Sequence, residues 1–129
     1  MNKLVELVDV LNNEILYRGT CSCQHLKNEG LQLSFGTDNH LYLYKVWKKG
    51  CIIESKQECT VVLSLRKGAE TSGHIYSPFG QMDVRCKTTD YTVDQHCIEV
   101  KYVLLQQQEQ QMFHFKLNIT DEEELYAIH

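Results

Sequence analysis

Polar and apolar residues alternate with a period of two along most of this chain. In residues 81–88, Met82, Val84, Cys86 and Thr88 share one face, while Gln81, Asp83, Arg85 and Lys87 share the other. An extended strand sends successive side chains to opposite faces, so such a run packs one side and wets the other. Residues 97–105 repeat the pattern with Ile98, Val100, Tyr102 and Leu104, and residues 112–120 with Phe113, Phe115, Leu117 and Ile119. Residues 59–66 set Cys59, Val61, Leu63 and Leu65 against Thr60, Ser64 and Arg66. Residues 14–25 set Ile15, Tyr17, Gly19, Cys21 and Cys23 against Arg18, Thr20, Ser22 and Gln24, and a short strand follows at Leu31, Leu33 and Phe35. Residues 40–47 are β-prone but apolar on both faces. Residues 51–54 form a brief strand and 70–77 a polar one. Residues 3–11 fit a helical stripe through Leu4, Leu7, Val8 and Leu11, yet their valines favour a strand, which is the assignment adopted.

Compact turn signals separate these runs: Asn12-Asn13, residues 27–30, residues 36–39, Lys49-Gly50, Lys67-Gly68 and Ser77–Gly80. Pro78 fixes its φ and Gly80 tolerates a positive one, so this last segment reads as a corner. Residues 88–96 read as a longer loop, and the glutamine-rich run 106–111 as a solvated hairpin loop. About ten short strands result. Closing them into a barrel removes every sheet edge. The expected fold is all-β: a closed antiparallel β-barrel of about 8–10 strands, its apolar faces lining one interior. An open two-sheet sandwich is the alternative. Residues 1–129 read as a single domain, with residues 121–129 as an acidic tail.

The chain has 129 residues and a net charge of −4. Nucleic-acid binding needs lysines and arginines to neutralise phosphates, and no basic run here exceeds Lys48-Lys49, so no nucleic acid is expected. The first residues carry Glu6 and Asp9 within their apolar stretch, unlike a secretory signal, and no run approaches the ~18 apolar residues of a spanning helix. A cytoplasmic protein with no membrane partner and reduced cysteines is expected.

The sharpest chemical cluster is Cys21, Cys23 and His25, all on one face of a regular strand. Thiolate and imidazole bind zinc. Same-face neighbours on a strand lie about 6.5–7 Å apart, however, and this is not the spacing of a structural zinc site. These residues remain weak metal candidates; a core role for the cysteines is preferred, and no metal or cofactor is expected. A Cys/His nucleophile pair carries little specificity among six cysteines and six histidines. Asp90, Asp94 and Glu99 lie in or beside a loop, where acidic residues are common. There is neither a glycine-rich phosphate loop nor a Gly-x-Ser-x-Gly elbow. No catalytic residue is named. Tyr42, Tyr44 and Trp47 crowd one strand, with Tyr76 and Phe79 near the proline corner; core packing accounts for them, and a ligand-gripping rim is the functional alternative.

The stretch from Leu65 to Ile119 resembles the YwiB-like bacterial proteins of unknown function, which have a calycin-like β-barrel. The resemblance rests on residues 76–80 (YSPFG), residues 81–88 (QMDVRCKT), residues 98–104 (IEVKYVL) and residues 115–119 (FKLNI). Residues 14–23 and 31–35 fit the family's early strands. The Arg-x-Gly turn of the family is replaced here by residues 54–58 (ESKQE). The resemblance implies a fold and a bacterial, cytosolic setting, with no activity to carry over.

A barrel of this size can keep a cavity. The expected function is to bind a small apolar molecule, with Tyr17, Phe35, Leu63, Met82, Val84, Tyr102, Phe113 and Phe115 as the lining. Tyr17 and Tyr102 would orient a polar head group. The alternative is a protein-interaction or regulatory module with a filled core and no ligand, which would use exposed aromatics of residues 40–47, with a homodimer as one form of it. An enzyme is the third and least supported reading.

Overall fold

The computed structural model describes residues 2–106 and 109–121. Its strands are β1 (Asn2–Asp9), β2 (Glu14–Leu26), β3 (Gly30–Thr37), β4 (His40–Val46), β5 (Gly50–Lys56), β6 (Thr60–Arg66), β7 (Glu70–Ser77), β8 (Gly80–Val93), β9 (Cys97–Gln106) and β10 (Glu109–Asp121). Each pairs antiparallel with its sequence neighbours, and β1 also pairs with β10, from Lys3↔Asp121 to Asp9↔Phe115. The result is a closed ten-strand antiparallel barrel. Asn13, Asn28 and Gly68 take positive φ at three of the turns expected from sequence. Asparagine and glycine tolerate that conformation.

Strand-like valines outweigh the helical stripe in β1, where Val5 and Leu7 face inward and are buried. With Leu33, Leu65, Val100 and Leu117 they form a tightly packed middle. Full burial of each such side chain contributes about 1.5–3 kcal/mol. All six cysteines are free, and three of them (Cys21, Cys51 and Cys86) are buried as small apolar groups.

Several expectations need correction. Residues 88–93 are not loop but the second half of β8. A register shift between Thr88 and Asp90 moves the inward positions from even to odd numbers, so Tyr91 is buried. Its hydroxyl lies 2.5 Å from the Trp47 carbonyl oxygen and 3.1 Å from that of Gly50, tying β8 to the β4–β5 turn. Tyr42 and Tyr44 point into the barrel and are buried, so β4 presents no exposed tyrosine patch. Cys59 falls outside β6 and is exposed. The glutamine-rich run belongs mostly to β9 and β10; its residues 107–108 lie outside the described residues, as do 122–129 of the acidic tail.

The wall is split in two places. β2 and β3 pair only from Ser22↔Ser34 to Leu26↔Gly30. Beyond Ser22 the ladder ends, and the rings of Tyr17 and Phe35, 5.2 Å apart, span the gap. β6 and β7 pair only from Thr60↔Tyr76 to Leu63↔Gly73. At the last pair glycine allows the close approach, since a Cβ on Gly73 would lie 2.6 Å from a Leu63 methyl. Below it Lys67 bridges to Thr88 instead.

Near that second split the Oγ1 atoms of Thr71 and Thr88 are buried with no hydrogen-bond partner among the described residues. A buried orphan hydroxyl costs about 1–3 kcal/mol. Thr88 is fully buried, and its backbone N–H and C=O are already bonded to Ala69 and Gly68. Thr88→Val keeps the shape and removes the orphan, so it should raise unfolding stability by about 1 kcal/mol in urea denaturation. A loss of that size would mean that the hydroxyl has a buried partner.

Candidate functional site

The two ends of the barrel differ in chemistry. The β1–β2, β3–β4 and β7–β8 hairpins stand at one end, where Leu11, Ile15, Leu16, Leu41 and Phe79 are exposed. The hairpins at the other end carry Lys27, Lys48, Lys49 and Lys67. Each end opens into a recess. The recess at the lysine end, about 790 Å³, has an apolar floor of Leu31, Val46 and Val93, but Lys3, Lys48, Glu29 and Asp94 surround it. The recess at the apolar end, about 490 Å³, is the cup with the character of a small-molecule site.

The cup is built from inward positions of several strands. Leu7, Ile53, Leu63 and Leu104 supply aliphatic surface. Tyr42 and Tyr44 of β4 form one aromatic wall, and Tyr102 of β9 with Phe113 and Phe115 of β10 form another. The Tyr102 and Phe113 rings stack at 5.3 Å between centroids, and Phe35 backs the first wall at 5.1 Å from Tyr42. Tyr44 and Tyr102 are 3% and 5% exposed, and neither hydroxyl has a hydrogen-bond partner among the described residues. Burial pushes both phenols up; Tyr102 and Cys51 add to the shift of Tyr44, and Cys86 and Cys51 to that of Tyr102.

Four of the residues expected to line a cavity do so: Leu63, Tyr102, Phe113 and Phe115. Phe35 backs Tyr42 and lines the groove along the β2–β3 split, and Val84 is buried in the core. Tyr17 lies in the groove along the β2–β3 split, and its hydroxyl donates to the Thr20 carbonyl at 2.7 Å, so it is committed locally. Met82 is 54% exposed and lines nothing. It stands beyond Arg85↔Leu105, the last pair that joins β8 to β9, so no neighbouring wall covers it. Cys21 lines the outer groove, whereas Cys23 and His25 line the lysine-end recess. Burial and the adjacent Cys23 push the Cys21 thiol up to about 12. Among the described residues no three His, Cys, Asp or Glu side chains gather as a metal site.

Sequence reasoning missed a polar cluster at the lip of the cup. His40 begins β4 and Ser55 lies near the end of β5, opposite Tyr42 in the register. His40 Nε2 is 2.7 Å from Ser55 Oγ, and His40 Nδ1 is 3.0 Å from the Tyr42 hydroxyl. The Gln57 amide nitrogen approaches Nε2 at 3.2 Å. An amide N–H donating there makes Nε2 an acceptor and leaves the proton on Nδ1, facing Tyr42. The ring also stacks on Tyr42 at 4.0 Å. The only signal in the sequence was the spacing His40-x-Tyr42-x-Tyr44; the contribution of Ser55 depends on strand register.

Burial lowers the pKa of His40 below its ordinary 6.5. The folded state therefore disfavours the imidazolium. This contribution to stability is present above pH 6.5 and is lost as pH falls below it, because the unfolded chain then binds more protons. In an NMR titration the His40 ring protons should show a midpoint below 6.5; a midpoint above it would mean that the lip holds a charged imidazolium.

No family model matches the sequence, and no curated protein matches it. Among solved structures, the chain is similar to the ywiB protein from Bacillus subtilis, with a TM-score of 0.60, 15% identity, and coverage of 93% of this chain and 88% of that one. The likeness is one of fold: this is a YwiB-like β-barrel.

Proposed function

We propose that the protein binds a small apolar molecule in the cup, non-covalently and without transforming it. The observation that carries this reading is the 490 Å³ recess itself, with aliphatic and aromatic walls and, from the largely buried Tyr44 and Tyr102, hydroxyls that have no partner among the described residues. Its volume lies within the roughly 300–1,000 Å³ typical of ligand sites. A ligand hydrogen-bonding to Tyr44 or Tyr102 would satisfy a group that the fold leaves unpaired. The exposed apolar side chains on the same end suit entry of an apolar molecule there. A cytoplasmic carrier or sensor is the role that fits.

Two measurements test it. Native mass spectrometry on gently purified protein should show added mass that disappears after denaturation and refolding. The neutral dye N-phenyl-1-naphthylamine should bind the refolded protein saturably at one equivalent. Val61→Trp, which fills the cup from a half-buried position on β6, should abolish that binding while the fold persists. Unchanged dye binding in the variant would place the dye elsewhere and remove the support for the cup.

A second reading has one observation in its favour. His40 and Ser55 stand at the distance of a base and a hydroxyl nucleophile, with Tyr42 on the far ring nitrogen. In that reading the lip hydrolyses short apolar esters. Turnover of p-nitrophenyl butyrate that falls at least about a hundredfold in Ser55→Ala would support it. Equal rates in both proteins would leave the cluster a structural lip.

A further inference from the structure

The charges at the cup have one sign. Asp9, at the end of β1, and Glu14, at the start of β2, line its mouth, and no lysine or arginine is in the lining among the described residues. His40, the remaining basic group there, is held toward its neutral form by burial. The carboxylates act on the interior: Asp9 contributes to the upward shift of the Tyr102 hydroxyl, and Glu14 to that of Tyr42. Asp9 is engaged by Asn12, whose backbone and side-chain nitrogens donate to its two oxygens at 3.2 and 2.7 Å. Glu14 is exposed and makes no hydrogen bond or ion pair among the described residues.

The walls have a matching property. Tyr42 and Tyr44 on one side and Tyr102, Phe113 and Phe115 on the other bring aromatic rings around one space. Ring faces are electron-rich and attract cations, above all alkylated ammonium groups, which shed water easily. Tyr44 and Tyr102, more than nine-tenths buried as residues, have hydroxyls without a partner among the described residues, and these offer acceptor oxygens in the same space. A fatty carboxylate would instead meet Asp9 and Glu14 with no cation to receive it, and like charges at such a mouth repel.

From these features together we propose that the ligand of the cup is a cationic amphiphile: an alkyl chain or apolar body ending in a quaternary or protonated amine. The amine is held between the aromatic walls and the Asp9–Glu14 mouth, and the apolar part lies against Leu7, Ile53, Leu63 and Leu104. This rests on the ligand-binding reading above and specifies its chemistry.

The test uses chain-matched probes on the refolded full-length protein: dodecyltrimethylammonium, dodecanoate and dodecanol, each titrated below its micelle concentration by isothermal titration calorimetry. Dodecyltrimethylammonium should bind at least about tenfold tighter than dodecanoate at neutral pH and low salt, with dodecanol between them. Glu14→Gln, which removes one exposed charge and no hydrogen bond, should narrow the gap between the two charged probes. Equal affinity for all three, or tighter binding of dodecanoate, would overturn the cationic assignment while the cup remains a ligand site. Failure of all three to bind, dodecanol included, would overturn the ligand-binding reading as well.

Discussion

The pairing of the first strand with the last sets the terms for everything else in this molecule. Seven residue pairs, from Lys3↔Asp121 to Asp9↔Phe115, join β1 to β10 and close the ring of strands. A ring of ten strands encloses more space than aliphatic side chains of ordinary size fill at both ends as well as the centre. Here the middle is filled, by Leu7, Leu33, Leu65, Val100 and Leu117. The ends are not. The same closure that buries the core thus creates the two recesses, and the aromatic residues at one end are the side chains long enough to reach inward around an open space.

Most of the wall was legible in the sequence because a strand with one buried face writes its environment every second residue. Val84, Cys86 and Thr88 are buried as the alternation demands, and so are Ile98, Val100, Tyr102 and Leu104. Alternation fails where the backbone changes parity. The irregularity between Thr88 and Asp90 exchanges inside for outside within one strand, so Tyr91 looked like a loop residue. It fails also where a strand outruns its neighbour. Met82 has the parity of a core residue but stands past the β8–β9 pairing. In β4, Leu41 and Leu43 on one face and Tyr42 and Tyr44 on the other were equally apolar. Only closure of the barrel decides which pair is inside.

The candidate site was half legible for the same reason. Leu63, Tyr102, Phe113 and Phe115 declare themselves by the alternation of their own strands. His40 and Ser55 do not, since what brings them within 2.7 Å is the β4–β5 register and not their spacing in the chain. The carboxylates at the mouth were hidden differently: Asp9 and Glu14 flank a hairpin, where acidic residues are ordinary. Their effect comes from the direction in which the hairpin holds them, over a recess with no compensating cation among the described residues.

The split between β2 and β3 has a consequence for kinetics. Along Glu14–Cys21 the wall is held to β3 by the Tyr17–Phe35 ring contact rather than by paired strands. Phe35 also backs Tyr42 and Tyr44, which form one wall of the cup. Parting the strands there sacrifices dispersion contacts and no ladder hydrogen bonds, so it is the least expensive opening in that part of the barrel. Opening at that seam would shift Phe35 and, through it, the Tyr42 and Tyr44 wall, so the shape of the cup is tied to how often two rings outside it part.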